Sequence, residues 1–427
     1  LWGARARILC AMEIAATTNN DVYERARLSR DARFDGRFYV GVKTTGIYCR
    51  PICPANAPKS ENVVFYPTAA AASEAGFRPC LRCRPECAPG TPAWAGTSTT
   101  VQRGLRLIAD GALDDGNVER LADRLGVTSR HLRRLFTRHV GASPLAVAHT
   151  QRLHFAKRLI DQTSLTMQDI STAAGFGSVR RFNDTFRKTY GKTPRELRRG
   201  RDTVVSTGAL TVQLPYRKPY GWQELLAFFA GRATPGVELV KDGRYLRTVR
   251  IGDGSGVIDV QDSGGALSLT IHGIATDALF AVVQRTRGVF DLDAPIDDIR
   301  GVLVGDRILK DWLKANPGIR VPGAWNGFEL CVRAVLGQQV SVKAATTFAG
   351  RIAERYGERV DTVPDYLDDL PTRLFPEPQR LTRARLESLG IIRSRAQTIR
   401  DLARAASRGA LDFGAGQSAD ELRATLT

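Results

Sequence analysis

Thr44-Thr45-Gly46-Ile47-Tyr48-Cys49-Arg50-Pro51-Ile52-Cys53, followed after a spacer by Gly76-Phe77-Arg78-Pro79-Cys80-Leu81-Arg82-Cys83-Arg84, holds four of the seven cysteines of this 427-residue chain. The pairs Cys49/Cys53 and Cys80/Cys83 have the spacing of a tetrahedral site in which four thiolates bind one Zn²⁺. Such a site carries net negative charge, and Arg50, Arg78, Arg82 and Arg84 crowd it. Arginines lower the cost of that charge and also bind phosphate. Cys87 follows Cys83 closely enough to compete as a ligand. A closed four-cysteine site is most often structural.

The two motifs, with Asp31-Ala32-Arg33-Phe34-Asp35-Gly36 before them and Asn62-Val63-Val64-Phe65-Tyr66 between, resemble the N-terminal zinc domain of the Ada family of alkylation-response proteins over about residues 20–88. The resemblance favours Cys80 and Cys83 over Cys87 as ligands. It implies that Cys49 is both zinc ligand and methyl acceptor, taking a methyl group irreversibly from a methyl phosphotriester in DNA. A thiolate is the nucleophile, and metal binding keeps a cysteine deprotonated at neutral pH. Methylation makes the cluster less negative and weakens its repulsion of DNA phosphates.

Length leads one to expect two to four domains. A net charge of +18 and a pI near 10.0 favour a polyanionic partner, nucleic acid first. No apolar run reaches membrane-spanning length and no secretory signal is present, so the expected location is the bacterial cytoplasm, associated with the nucleoid. The cysteines form no disulfide framework, and Cys331 lies in an apolar helical pattern that reads as core. Residues 1–11 begin without methionine. Translation is expected to start at Met12, with 1–11 a non-native or untranslated leader, residues 12–90 the zinc domain and 91–100 a linker.

Residues 101–200 contain an internal repeat. Phe136, Gly141 and Pro144 recur at an offset of fifty as Phe186, Gly191 and Pro194, and Leu121–Val127 parallels Ile170–Phe176. Each copy reads helix, glycine turn, capped helix, with Thr128 or Ser129 as the first cap and Ser178 as the second. A long helix around Leu145–Ile160 joins them. The span has 19 Lys/Arg against 9 Asp/Glu, a difference of +10. Ser129, Arg130, Arg133, Arg134 and Arg138 sit on the first recognition helix, and Ser178, Arg180, Arg181, Arg187 and Lys188 on the second. Two such units resemble the AraC-type DNA-binding domain, which implies double-stranded promoter DNA and RNA polymerase as partners. The five histidines show no ligand spacing and read as surface or core.

Residues 206–282 read as one helix at Trp222–Phe229 and an antiparallel meander with an Asp242-Gly243 hairpin turn. Residues 283–427 read as helical. Asn326–Ala345 and Leu374-Phe375-Pro376-Glu377-Pro378 resemble the AlkA-type 3-methyladenine DNA glycosylases, and the β-rich segment fits that family's N-terminal lobe. The resemblance implies a DNA-facing turn at Gln338 and Gln339, with Gln339 helping to fill the gap left by an extruded base. A polar helix junction is the competing reading of that turn. The family's helix-hairpin-helix and catalytic aspartate find no counterpart, so no residue is assigned as the glycosylase acid, and the expectation is an incomplete glycosylase domain. No Pro-Cys-His-Arg motif is present, and O6-alkylguanine transfer is not expected.

The fold class expected is therefore multidomain α+β: a small zinc-bound α/β domain, an all-α double helix-turn-helix domain, an α+β lobe and a partial all-α domain. The expected function is alkylation sensing at Cys49, transcriptional activation and repair. Two alternatives stand beside it: a transcription factor whose zinc is only structural, and a glycosylase with N-terminal modules that localise it on DNA.

Overall fold

The structure, a computed structural model, describes residues 20–89, 99–113, 116–198, 209–360 and 370–411, together with Phe413 and Ala424. The leader, Cys10, Met12 and most of the 91–100 linker lie outside the described residues.

A helix over residues 20–28 (α1) precedes a small sheet of strands β1 (Tyr39–Val42), β2 (Ile47–Cys49), β3 (Val63–Tyr66) and β4 (Arg78–Pro79). Its order is β3-β1-β2-β4, antiparallel except for the parallel pair β2/β4. Helix α2 (Ala69–Glu74) starts at an N-cap in which Thr68 Oγ1 accepts from Ala71 N at 3.0 Å. Its buried alanines 69–72 let its backbone come close to the neighbouring helical unit.

Seven helices follow: α3 (Thr99–Ala109), α4 (Val118–Arg124), α5 (Ser129–Val140), α6 (Pro144–Gln162), α7 (Met167–Ala173), α8 (Val179–Tyr190) and α9 (Pro194–Arg198). The repeat is visible in the core. Leu132, Phe136 and Val140 are buried along α5, and Phe182, Phe186 and Tyr190 occupy the matching positions of α8. The i, i+4, i+8 spacing puts each trio on one helix face. Gly141 and Gly191 end the two helices at φ +75° and +68°, a conformation that penalises a Cβ. At Gly141 a Cβ would also lie 2.9 Å from Pro67 Cγ.

The second sheet contains β5 (Ala209–Pro215), β6 (Glu238–Lys241), β7 (Arg244–Ile251), β8 (Gly254–Asp262) and β9 (Ala266–His272), in the order β5-β9-β8-β7-β6, all antiparallel. Asp242 and Gly243 turn β6 into β7 with both φ positive, the demand of a two-residue hairpin loop. Helix α10 (Trp222–Ala230) packs on this sheet. Helices α11 (Leu279–Val289), α12 (Ile296–Leu303), α13 (Arg307–Ala315), α14 (Gly327–Leu336), α15 (Val342–Tyr356), α16 (Pro378–Leu381) and α17 (Arg393–Ser407) complete the described elements. Helices α14 to α17 enclose a core of their own, and Cys331 packs at its edge. A single larger core joins α6 to α8 with the second sheet, α10 and α11. The second helix-turn-helix unit and the sheet thus share one apolar interior. The expected multidomain α+β architecture is the one observed.

Candidate metal centre and nucleic-acid interface

The pairing of β2 with β4 builds the metal centre. Arg78 N donates to Gly46 O at 2.8 Å and Cys80 N donates to Tyr48 O at 3.0 Å, which sets the end of β2 beside the second cysteine pair. Cys53 N closes a turn onto Arg50 O at 3.1 Å, and Arg84 N closes another onto Cys80 O at 3.1 Å. The sulfurs of Cys49, Cys53, Cys80 and Cys83 all lie within 4.8 Å of one another. Tetrahedral zinc with Zn–S bonds of about 2.3 Å needs sulfurs about 3.8 Å apart, so the donor set fits in number, type and spacing. Cys87 is not in the group.

Four crowded sulfurs cannot all be thiolates without a cation. Hydrogen bonding with Cys53, and then with Cys80 and Cys83, pushes the Cys49 thiol far up. Hydrogen bonding with Cys49 holds the Cys53 thiol down to about 7, and the same partner leads the lowering of Cys80. A backbone N–H group also serves the cluster. Arg50 N donates to Cys83 Sγ at 3.3 Å.

The arginines divide into two classes. Arg78 and Arg82 are exposed, Arg78 approaching Gly191 at the end of α8. Arg50 is bonded within the protein. Its Nε donates to Asp35 Oδ1 at 2.8 Å, one Nη pairs with Asp35 Oδ2, and the other donates to Cys83 O at 3.1 Å. With all three guanidinium nitrogens engaged and the side chain 13% exposed, it braces the cluster. Arg84 turns inward at φ +54° and pairs with Asp161 and Glu86, which Lys157 also meets. Tyr48, adjacent to Cys49, shares a 2.9 Å hydrogen bond with His154 Nε2 on α6, and burial pushes the His154 pKa down to about 4. These long-range partners carry no local sequence signal. Asp35 alone stood in a quoted motif.

On the helix-turn-helix units the N-caps are Thr128, accepting from His131 N at 3.3 Å, and Ser178, accepting from Arg181 N at 3.2 Å. Ser129 is the first residue inside α5. Arg130, Arg134, Arg180, Arg181 and Arg187 are exposed, and Arg133 reaches Glu119 at 3.0 Å. Ser178, Arg180, Arg181, Asp184, Thr185 and Lys188 line a shallow open depression along the start of α8. Gln338 and Gln339 form the exposed turn between α14 and α15, with Gln339 at φ +53° and Arg395 holding the Gln338 carbonyl. No glycosylase acid is assigned among the described residues.

Comparison with known proteins matches three family models: the metal binding domain of Ada at residues 23–86, a helix-turn-helix domain at 121–200 and the AlkA N-terminal domain at 211–326. The chain is 41% identical over 397 residues to a probable bifunctional transcriptional activator/DNA repair enzyme AlkA of Mycobacterium tuberculosis, covering 92% of this chain and 79% of that protein. The chain belongs to this family of bifunctional transcriptional activator/DNA repair enzymes. It is also 34% identical to the DNA-3-methyladenine glycosylase 2 of Escherichia coli, over 50% of this chain and 73% of that one. The solved DNA methyl phosphotriester repair domain of E. coli Ada matches at 50% identity over 16% of this chain and 72% of its own, with a TM-score of 0.15. In this Ada/AlkA-type chain the four-cysteine cluster is the Ada zinc site. Among the described residues no helix is long and apolar enough to cross a membrane.

Proposed function

We propose that Cys49 is the methyl acceptor of an alkylation sensor that acts on DNA methyl phosphotriesters. The observation that carries this is the cluster itself: Cys49 ends β2 with its sulfur among three others at zinc-binding spacing, inside the segment that matches the metal binding domain of Ada. Zinc, when bound, keeps the four cysteines as thiolates at neutral pH. Cys49 Sγ attacks the methyl carbon in line, an S–C bond forms, the C–O bond breaks, and the phosphodiester leaves with the electron pair. The thioether product does not revert, so each molecule acts once.

Methylation leaves the cluster one charge less negative. Repulsion of the DNA backbone falls, and the exposed arginines of α5 and α8 hold promoter DNA more tightly. Arg130, Arg133, Arg134, Arg180 and Arg181 sit early enough on these helices to meet base edges or the nearest phosphates, with Ser129 and Ser178 at their starts. Arg187, Arg78 and Arg82 meet phosphate. The promoter-bound protein then recruits RNA polymerase in the cytoplasm. The AlkA-type part presents the Gln338–Gln339 turn to DNA from which an alkylated base has been extruded.

The test compares promoter affinity before and after exposure to DNA carrying methyl phosphotriesters, for the wild type, Cys49→Ser and Cys53→Ser. The expected result is a rise in wild-type affinity that Cys49→Ser loses while remaining folded. Equal collapse of both variants, with no methylation-dependent rise in the wild type, would assign the zinc a purely structural role.

A further inference from the structure

The metal loop is braced from a part of the chain remote in sequence. Asp35 is the joint. Its side chain, 6% exposed, receives the Arg50 guanidinium, and Arg50 in turn donates from its backbone to Cys83 Sγ and from its side chain to Cys83 O. The Asp35 main-chain carbonyl accepts from Arg217, which follows β5 and is 7% exposed. Arg217 is itself fixed from behind. Arg320 donates to Arg217 O at 2.7 Å and to Pro219 O at 3.0 Å, and its guanidinium lies 5.0 Å from the Tyr220 ring centroid. The next residue, Gly36, has φ +72°, and a Cβ there would fall 2.3 Å from Pro89 O and 3.2 Å from an Arg217 guanidinium nitrogen. The Asp35–Gly36 turn is therefore closed in on both sides.

We propose that Asp35 and Arg217 are positioning residues for methyl acceptance, so that the glycosylase-type lobe holds the metal loop from which Cys49 reacts. The proposal rests on the reading of Cys49 as methyl acceptor. Arg50 lies between the two ligands of the first pair and bonds to a ligand of the second, so its placement sets the relation of the two pairs. Asp35 fixes Arg50, and Arg217 fixes Asp35. In-line attack tolerates little misalignment: a displacement of about 1 Å costs about a hundredfold in rate. The lobe thereby contributes to sensing without touching DNA at that site.

The experiment uses the full chain, zinc-loaded, as wild type, Arg217→Met, Arg217→Lys and Asp35→Asn. Two readouts are taken: single-turnover methyl transfer from a methyl phosphotriester duplex, and hydrogen exchange of the 46–53 segment measured by mass spectrometry without DNA. Arg217→Met is expected to lower the saturating transfer rate about tenfold. The half-saturating DNA concentration should stay within about twofold, because the lost contact is not a DNA contact. Exchange in 46–53 is expected to rise. Arg217→Lys keeps one N–H donor for the Asp35 carbonyl and is expected to restore both readouts, which separates positioning from general loss of structure. Asp35→Asn removes the charge that Arg50 pairs with and is expected to act as Arg217→Met does, a second route should Arg217→Met fold poorly. Unchanged exchange and transfer in Arg217→Met or Asp35→Asn would overturn the proposal. Absence of transfer by the wild type would overturn the methyl-acceptor reading and the role in transfer with it, whereas the exchange readout still decides whether Arg217 braces the loop.

Discussion

Replacing Lys157 by methionine tests how the zinc-bearing unit is held on the helix-turn-helix domain. Lys157 Nζ lies 2.5 Å from Asp161 Oδ2 and 3.6 Å from Glu86 Oε1, Arg84 pairs with both carboxylates, and Arg158 donates to Glu86 O at 2.8 Å. The Asp161 and Glu86 side chains are 0% and 2% exposed, and Lys157 is 4% exposed. Methionine nearly matches the lysine stem in volume, so no large cavity opens. What changes is the charge balance: the two buried carboxylates lose one of the cations that face them. Breaking a buried pair from one side costs about 3–5 kcal/mol, because the remaining charge is desolvated and uncompensated. With a urea slope of about 2 kcal/mol/M, the unfolding midpoint should drop by about 1.5–2.5 M. The assay is urea unfolding of the full chain, followed by release of zinc to a colorimetric chelator. Lys157→Met/Asp161→Leu removes one charge of each sign and should recover most of the loss. A cost below about 1 kcal/mol for the single change, the scale of an exposed ion pair, would refute the reasoning.

Other consequences follow from single side chains. His154 is held down to about 4, below its ordinary 6.5, by burial. The unfolded chain therefore takes up the proton first, so stability is full above about pH 6.5 and falls by up to about 3 kcal/mol as the pH drops toward 4. Denaturation series at several pH values should show this slope in the wild type and its loss in His154→Gln. Gln339 holds φ +53°, and Gln339→Gly should raise stability by about 1 kcal/mol in thermal unfolding. Arg187→Ala should weaken binding to all DNA sequences alike and lower the salt slope of binding by about one, as read by titration at several salt concentrations.

The elements with a local or periodic cause could be read in the sequence. The cysteine spacing announced the metal cluster because ligands from a strand end and a turn come in close pairs. The offset-fifty repeat announced two like units, and it reappears as two matched buried trios on α5 and α8. Asp242-Gly243 marked its hairpin because few residues adopt two positive φ values in succession. A basic residue beside a ligand looks the same in sequence whether it faces phosphate or, as Arg50 does, a carboxylate fifteen positions upstream. Thr128 and Ser129 were equivalent caps until the helix start was fixed at Ser129. The Tyr48–His154 bond spans 106 positions and the Arg217–Asp35 bond 182, separations at which no local pattern constrains the partners. The braces between units are therefore what the sequence concealed, although the four clustered cysteines were in plain view.

The most direct measurement is mass spectrometry, intact and by peptide, of the zinc-loaded protein after incubation with DNA carrying methyl phosphotriesters. One added methyl group per chain, mapped to Cys49 within the 46–53 segment and absent from Cys53, Cys80 and Cys83, is the expected result. A folded, zinc-bound and DNA-binding protein that gains no methyl group, or gains it on a different cysteine, would contradict the assignment of Cys49 as acceptor.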